Sequence, residues 1–222
     1  MMCRRVKVKR LLFASAAVTA VTLAGGCASG GHNGTAQSTG MVHVVVSQYR
    51  GDVVTPARGK PDIVLTDTSG HRYDFRAMTA GKVTLLFFGY THCPDECPLT
   101  MSATAAALSE LTSAQQAKIR VVFVTVDPTR DTGLVIRSWL DRFNTAFIGL
   151  TGTLGSVEAA AKAAGIPVGK PTRLSNGSYQ LDHGTEMLAF SSDNKAHLAF
   201  FPSASPTNIA HDLRLLTAGR HP

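Results

Sequence analysis

Cysteine is scarce in this sequence, and a hydrophobic run long enough to cross a membrane is missing. The 222 residues contain four cysteines, Cys3, Cys27, Cys93 and Cys97, too few for the several disulfides that hold a small secreted scaffold together. The apolar segment Leu11–Gly26 has 16 residues, whereas a membrane-spanning helix needs about 20. A Lys/Arg stripe with interleaved aromatic residues is also missing, so no nucleic-acid partner is expected.

The first 26 residues have the features of a secretory signal. Residues 1–10 carry five basic residues and no acidic one, and the apolar segment that follows ends in small residues directly before Cys27. This arrangement is typical of a bacterial lipoprotein signal. We therefore expect residues 1–26 to be removed and Cys27 to carry a lipid that anchors the chain on the extracytoplasmic face of the cell membrane. A plain secreted protein cleaved nearby, or an uncleaved anchor, is the alternative.

The charge of the chain changes once this segment is set aside. The formal net charge of +7 includes the five basic residues of the signal and falls to +2 from Cys27 onward, so the basic excess indicates targeting. Residues 27–41 are rich in Gly, Ser and Thr without an apolar period, which predicts a flexible tether. The tether would carry one domain at residues 42–219.

The order of elements in this domain predicts an α/β fold. Val83–Tyr90 and Ile119–Val126 are apolar runs of strand length, which indicates central strands buried on both faces. Hairpins are predicted at 63–75 and 186–201, helices at 96–111, 131–143, 156–164 and 207–216, and a short strand at 147–150. This order, with a cysteine pair where the first buried strand meets its helix, favours a thioredoxin-like fold with a mixed central sheet flanked by helices.

The helix predicted at 131–143 has a cap and a buried face. Asp131 stands where an N-cap carboxylate would accept backbone hydrogen bonds. Leu134, Val135, Trp139 and Phe143 are spaced so that they could share one face.

Cys93 and Cys97, in FFGYTHCPDEC, stand at the start of the first predicted helix. Because proline is tolerated only in the first helical turn, Pro98 requires the helix to begin at about Asp95 or Glu96. Both sulfurs then lie near the positive end of the helix dipole, which favours the thiolate. Their spacing along a helical turn, about 5 to 6 Å, exceeds the roughly 3.8 Å between the Cβ atoms of a disulfide. Oxidation should need a shift of this loop, whereas a metal ion could be held without one.

Two thiolates alone are not enough for a metal site, so a further ligand must come from elsewhere. His183, in YQLDHGTEMLAF, ends a predicted loop just before a strand and is the candidate, whereas His197 is expected to be a half-buried structural histidine and His221 a surface residue. A set of two cysteines and one histidine suits a soft, low-coordinate ion such as Cu(I), while structural zinc normally takes four ligands. Copper is favoured on these grounds, with zinc second.

Three segments, FGYTHCPDECPLTM, VTVDPTRDT and YQLDHGTEM, resemble in order and spacing the signatures of the Sco/SenC family. Members of that family are membrane-tethered, thioredoxin-fold copper-binding proteins that help to assemble the copper site of cytochrome c oxidase. The resemblance covers about residues 42–219. It implies that Cys93 and Cys97 are the copper thiolates, that His183 is the imidazole ligand, and that Asp127 is a supporting carboxylate near the site.

The resemblance also implies a function and its partners. The chain would be a metallochaperone that carries copper, as Cu(I) or Cu(II), to the copper-site subunit of the oxidase, with a copper donor protein and a thiol reductant as further partners. The same cysteines leave a second hypothesis open, a membrane-tethered thiol–disulfide oxidoreductase in which Cys93 attacks and Cys97 resolves. A peroxiredoxin-like peroxidase is disfavoured, because the sequence does not mark the Thr/Arg pocket that such enzymes need.

Overall fold

The computed structural model describes residues 47–175, 177 and 179–222. The predicted signal, the tether with Cys27, and the first residues of the predicted domain, 42–46, lie outside the described residues. Within the described part no helix is both long and apolar enough to cross a membrane. Its strands are β1 (Asp52–Gly59), β2 (Val64–Asp67), β3 (Arg72–Asp74), β4 (Val83–Gly89), β5 (Ile119–Thr125), β6 (Ile148–Thr151), β7 (Val168–Arg173), β8 (Tyr179–His183), β9 (Met187–Phe190) and β10 (Lys195–Phe200). Its helices are α1 (Phe75–Met78), α2 (Glu96–Ser109), α3 (Ser113–Gln116), α4 (Gly133–Leu140), α5 (Leu154–Ala164) and α6 (Pro206–Thr217).

Eight of these strands form one mixed sheet, in the order β1-β10-β9-β4-β5-β6-β2-β3. β5 runs parallel to its neighbours β4 and β6, and the other adjacent pairs are antiparallel. Every residue of β4 is buried, as expected for a central strand of this composition. Helix α2 packs with α6, α4 packs against β6, and α5 packs against β2. The predicted mixed sheet flanked by helices is confirmed.

The parallel strands bring two connecting segments to the same edge of the sheet. β4 and β5 pair in register from Val83 opposite Ile119 to Gly89 opposite Thr125, and Val126 N then donates to Gly89 O at 2.7 Å. The segments after these strands, 90–95 and 126–132, therefore lie side by side. In open α/β sheets this carboxyl edge is where ligands usually bind.

A second, two-stranded sheet, β7 with β8, stands where the sequence indicated a loop. β7 is mostly exposed and does not alternate between apolar and polar residues, so the usual signal of a half-buried strand is missing. The expectation that His183 ends a loop is wrong, because it is the last residue of β8.

The expectation for residues 131–143 also needs correction. α4 begins at Gly133, and its N-cap is Thr132, whose hydroxyl accepts a hydrogen bond from Val135 N. Asp131 does not cap the helix, because its carboxylate is buried among other donors. Leu134 is 83% exposed and Val135 is 37% exposed. The buried residues of α4 are Ile136, Trp139 and Leu140, so Trp139 alone of the four predicted residues lies on the buried face of this helix.

Lys60, which directly follows β1, is buried although it carries an amine. Its Nζ donates to the backbone oxygen and hydroxyl of Thr79, at 3.0 and 3.1 Å, and to the hydroxyl of Thr84 at 3.2 Å. Burial, with a further contribution from Arg76 and opposed by Asp193, lowers the pKa of Lys60 from 10.5 to about 8. Folding therefore favours the neutral amine.

This shift predicts a pH dependence of stability. Between pH 8 and 10.5 the unfolded chain keeps the Lys60 proton while the folded chain has lost it, so the free energy of unfolding should rise across this window. The pKa difference corresponds to up to about 3 kcal/mol. Denaturant unfolding at pH 7.5, 9 and 10.5, taken as the difference between the wild type and Lys60→Met, measures this term. A difference that stays constant with pH would contradict it.

Candidate metal centre

Cys93 and Cys97 lie on either side of the start of α2. The helix begins at Glu96 with Asp95 as its N-cap residue, as the position of Pro98 predicted. Cys93 is half-buried in the preceding loop, Cys97 is fully buried in the first turn, and neither forms a disulfide. The backbone N of Cys97 donates to Cys93 Sγ at 3.4 Å. The positive end of the helix therefore points at Cys93.

The end of β4 leaves room for the Cys97 sulfur because it is a glycine. A Cβ added at Gly89 would lie 2.9 Å from Cys97 Sγ and 2.9 Å from a ring carbon of Phe87, with Phe123 at 3.1 Å. Real Cβ contacts are essentially never that short. The first turn of α2 can therefore pack its thiol directly on the backbone of the central strand.

His183 brings an imidazole to the cysteine pair from the other side. Its Nε2 lies 3.7 Å from Cys97 Sγ, and its Nδ1 lies 2.8 Å from the carbonyl oxygen of Gly184. Because a carbonyl only accepts hydrogen bonds, Nδ1 carries the proton of this contact, and Nε2 faces the sulfur. The edge-to-face contacts of the ring with Tyr90 and Phe87 fix its plane.

The two cysteines share one proton unequally. The hydrogen bond from the Cys97 thiol, with help from His183 and against the effect of burial, lowers the pKa of Cys93 to about 4. The same hydrogen bond, with burial, raises the pKa of Cys97. Burial lowers the pKa of His183, but its contacts with Cys93 and the Gly184 carbonyl outweigh burial and raise it. At neutral pH Cys93 is therefore the thiolate, and Cys97 is the thiol that donates to it.

The ligand atoms of Cys93, Cys97 and His183 lie near one another but do not all lie within bonding reach of a single metal position. Their ligand atoms are not all within 4.8 Å of one another, unlike those of Asp193, His197 and His221. Metal bonds of about 2.0 to 2.3 Å place ligand atoms about 4 Å apart. Closing all three ligand atoms around one ion would need a small shift of at least one of these side chains, and the prediction that the loop itself need not move stays a prediction.

Asp131 holds the cysteine loop. Its fully buried carboxylate accepts hydrogen bonds from Thr91 N at 2.9 Å and from the Thr91 hydroxyl at 2.5 Å. The Thr125 hydroxyl donates to it at 2.7 Å. Since Thr91 precedes Cys93 by two residues, Asp131 positions this loop. Sequence reasoning missed this role, and the available signal was a second aspartate four residues after Asp127.

Asp127 is connected to the strand that carries His183. The Tyr179 hydroxyl donates to the buried Asp127 carboxylate, at 2.8 and 3.0 Å from its two oxygens. Arg130 forms an ion pair with the same carboxylate, and its guanidinium lies 3.7 Å from the centre of the Tyr179 ring. Tyr179 begins β8 and precedes His183 by four residues. Asp127 therefore contacts the β7–β8 hairpin through Tyr179, and none of these hydrogen bonds joins it directly to the cysteines or His183.

A cleft of about 360 Å³ opens beside these residues. One wall is residues 93–96 with Tyr90, and the other is residues 180–183 with Thr185. Three carboxylates line it, those of Asp95, Glu96 and Asp182. Cys93 is thus reached through an acidic opening, which favours the approach of cations.

The fold and the site together define a class of protein. A mixed sheet with a cysteine pair at the end of its central parallel strand, faced by a histidine from an added hairpin, is a thioredoxin-like protein with a thiol and imidazole centre. The SCO1/SenC family model matches residues 54–218. The chain belongs to the SCO1/SenC family.

Known proteins resemble the chain in sequence and in structure. Protein SCO2, mitochondrial, of Saccharomyces cerevisiae is 36% identical over 120 residues, which are 54% of this chain and 40% of that protein. The solution structure of apo Sco1 from Thermus thermophilus has a TM-score of 0.68 at 29% identity and covers 78% of this chain and 99% of that one. Bradyrhizobium japonicum ScoI with copper bound has a TM-score of 0.62 at 29% identity and covers 72% and 99%. The chain spans 40 to 66% of the length of two curated relatives that it matches.

Proposed function

We propose that the chain is a copper-binding metallochaperone that assists assembly of the copper site of cytochrome c oxidase. The observation that carries this proposal is the 3.7 Å approach of His183 Nε2 to Cys97 Sγ, beside the Cys93 thiolate. Membership of the SCO1/SenC family supports it, as does the copper bound in the Bradyrhizobium japonicum relative.

The donor set fits copper better than zinc. Two sulfurs and one imidazole nitrogen are soft donors that favour Cu(I), for which three ligands suffice, whereas structural zinc usually has four. Cys93 already carries the negative charge, and Cys97 would release its proton when the ion binds. The acidic carboxylates around the cleft would favour entry of the cation.

Transfer of copper would use the unequal placement of the two cysteines. Cys97 and His183 would hold the ion from the protein side, and Cys93, on a half-buried loop, would be the ligand that opens toward a partner. The partner would be the copper-site subunit of the oxidase, with a copper donor protein and a thiol reductant supplying copper and electrons. Lipid on Cys27 would keep the domain at the extracytoplasmic membrane face.

A deletion strain tests this function. Cytochrome c oxidase activity should fall when the gene is removed and return when copper is added or the wild-type gene is restored. A gene carrying Cys93→Ser and Cys97→Ser should not restore it, whereas His71→Ala, a substitution at an exposed histidine away from the cleft, should. Full oxidase activity in the deletion strain without added copper would reject the proposal.

The low pKa of Cys93 beside a protonated Cys97 favours one alternative, a thiol–disulfide oxidoreductase. The Cys93 thiolate would attack a partner disulfide and release one partner thiolate. Cys97, after losing its proton, would then attack the Cys93 sulfur of the resulting mixed disulfide and release the second partner thiolate, so the partner is reduced by two electrons and the cysteine pair becomes a disulfide. This reaction needs no imidazole ligand, so His183→Ala should change the disulfide-reduction rate by less than about threefold if the alternative holds.

A further inference from the structure

A second group of metal-ligating side chains lies at the other end of the central strand. Asp193 is in the turn between β9 and β10, His197 is in β10, and His221 follows α6. β9 pairs with β4 so that Phe190 stands opposite Thr84, near the start of β4, whereas the cysteines follow its end. At about 3.3 Å per residue, Thr84 and Gly89 are already about 17 Å apart. This group is therefore separate from the cysteine centre.

The three side chains converge on one carboxylate oxygen. His197 Nε2 lies 2.8 Å from Asp193 Oδ2, and His221 Nε2 lies 3.9 Å from the same oxygen. The two imidazole rings stack with their centres 4.2 Å apart and their planes 14° apart. One ligand atom from each residue lies within 4.8 Å of the other two.

The surrounding hairpin holds this arrangement in place. The Ser191 hydroxyl and the Lys195 backbone N both donate to Asp193 Oδ1, at 2.6 and 2.9 Å. This leaves Oδ2 for the imidazoles. His197 is only 8% exposed, so its ring is fixed by packing, and the turn is tightened by Asn194 in the left-handed conformation at φ 63°.

We propose that Asp193, His197 and His221 bind one divalent first-row transition-metal ion. Imidazole nitrogen and carboxylate oxygen are typical ligands of Zn²⁺ and its neighbours, and three protein ligands leave a coordination position for water. Binding would replace the hydrogen bond between His197 Nε2 and Asp193 Oδ2, with the neutral imidazole carrying its one proton on Nδ1 while Nε2 holds the ion. The ion would join the segment after α6 to the β9–β10 turn. His197, expected to be a structural histidine, and His221, expected to be a surface residue, would then be ligands of the same ion.

Zinc titration tests the site without relying on the proposed copper function. The protein is the full chain with Cys93→Ser and Cys97→Ser, which removes the thiolates of the other centre, and Zn²⁺ alone is titrated by calorimetry. One equivalent should bind, and adding His221→Ala should weaken its binding at least about tenfold, since even changes at outer partners of metal ligands cost 10- to 100-fold. His71→Ala is the matched control, an exposed histidine near Asp67, and should leave the affinity unchanged.

Hydrogen exchange adds a readout of the link between the two segments. Zinc should slow backbone amide hydrogen exchange at residues 219–221 in the parent protein, which is the full chain with Cys93→Ser and Cys97→Ser. It should not slow this exchange when His221→Ala is added. His221 is exposed, so its replacement should not impair folding. Equal zinc affinity with and without His221, or no zinc bound by the parent, would overturn the proposal and leave a stacked histidine pair that only stabilises the turn.

Discussion

Replacing His183 with alanine is expected to weaken Cu(I) binding by at least about 100-fold. The substitution removes the imidazole and leaves two sulfurs, whereas the loss of a mere outer partner of a metal ligand already costs 10- to 100-fold. His183 ends a strand on the surface of a cleft, so the central sheet should remain intact. The measurement is an anaerobic competition titration of the reduced full chain against a chromophoric Cu(I) chelator.

The matched control is His92→Ala, a second histidine beside the same cysteines. His92 directly precedes Cys93, its side chain is 53% exposed, and its Nδ1 lies 3.1 Å from the Thr91 hydroxyl. Removing it leaves the bonds from Thr91 to Asp131 in place, so the Cu(I) affinity should stay within about threefold. Unchanged Cu(I) affinity in His183→Ala would reject the assignment of His183 as a ligand. An equal loss of Cu(I) affinity in both variants would show that the loss comes from a disturbed cysteine loop and would also reject the assignment.

Local rules predicted the cysteine half of the centre well. Pro98 restricts the start of α2 through backbone sterics alone, and an all-apolar run such as β4 has few alternatives to a buried strand. The histidine half could not be predicted in the same way, because β7 is mostly exposed and lacks alternation, so the sequence does not mark its pairing with β8. β1 was missed for the same reason, since none of its residues is buried.

The contacts that bring the two halves together are the least predictable part. Cys97 and His183 are 86 residues apart in sequence, and the segment after β5 reaches both sides of their site. Asp131 accepts hydrogen bonds from the loop before Cys93, and Asp127 accepts one from Tyr179 at the start of β8. A sequence pattern shows two aspartates four residues apart, but only the folded sheet shows that they face different neighbours.

Asp131→Ala is therefore expected to lower the free energy of unfolding by about 3 kcal/mol or more. The substitution leaves the Thr91 N, the Thr91 hydroxyl and the Thr125 hydroxyl without their buried acceptor, and each lost partner costs about 1 to 3 kcal/mol. Asp131→Asn should lose less, because its amide keeps one acceptor oxygen and can donate to the Thr91 hydroxyl. Urea unfolding measures these differences.

Asp141→Ala, at the C-cap of α4, is the control, because the Asp141 side chain is 44% exposed and pairs with Arg137 at the surface. It should cost less than about 1 kcal/mol. The positioning role is tested separately by the alkylation rate of Cys93 in the folded protein, which should rise in Asp131→Ala, since a released loop exposes the thiolate, and stay unchanged in Asp141→Ala. A destabilised Asp131→Ala protein with an unchanged alkylation rate would show that Asp131 stabilises the fold without holding the cysteine loop.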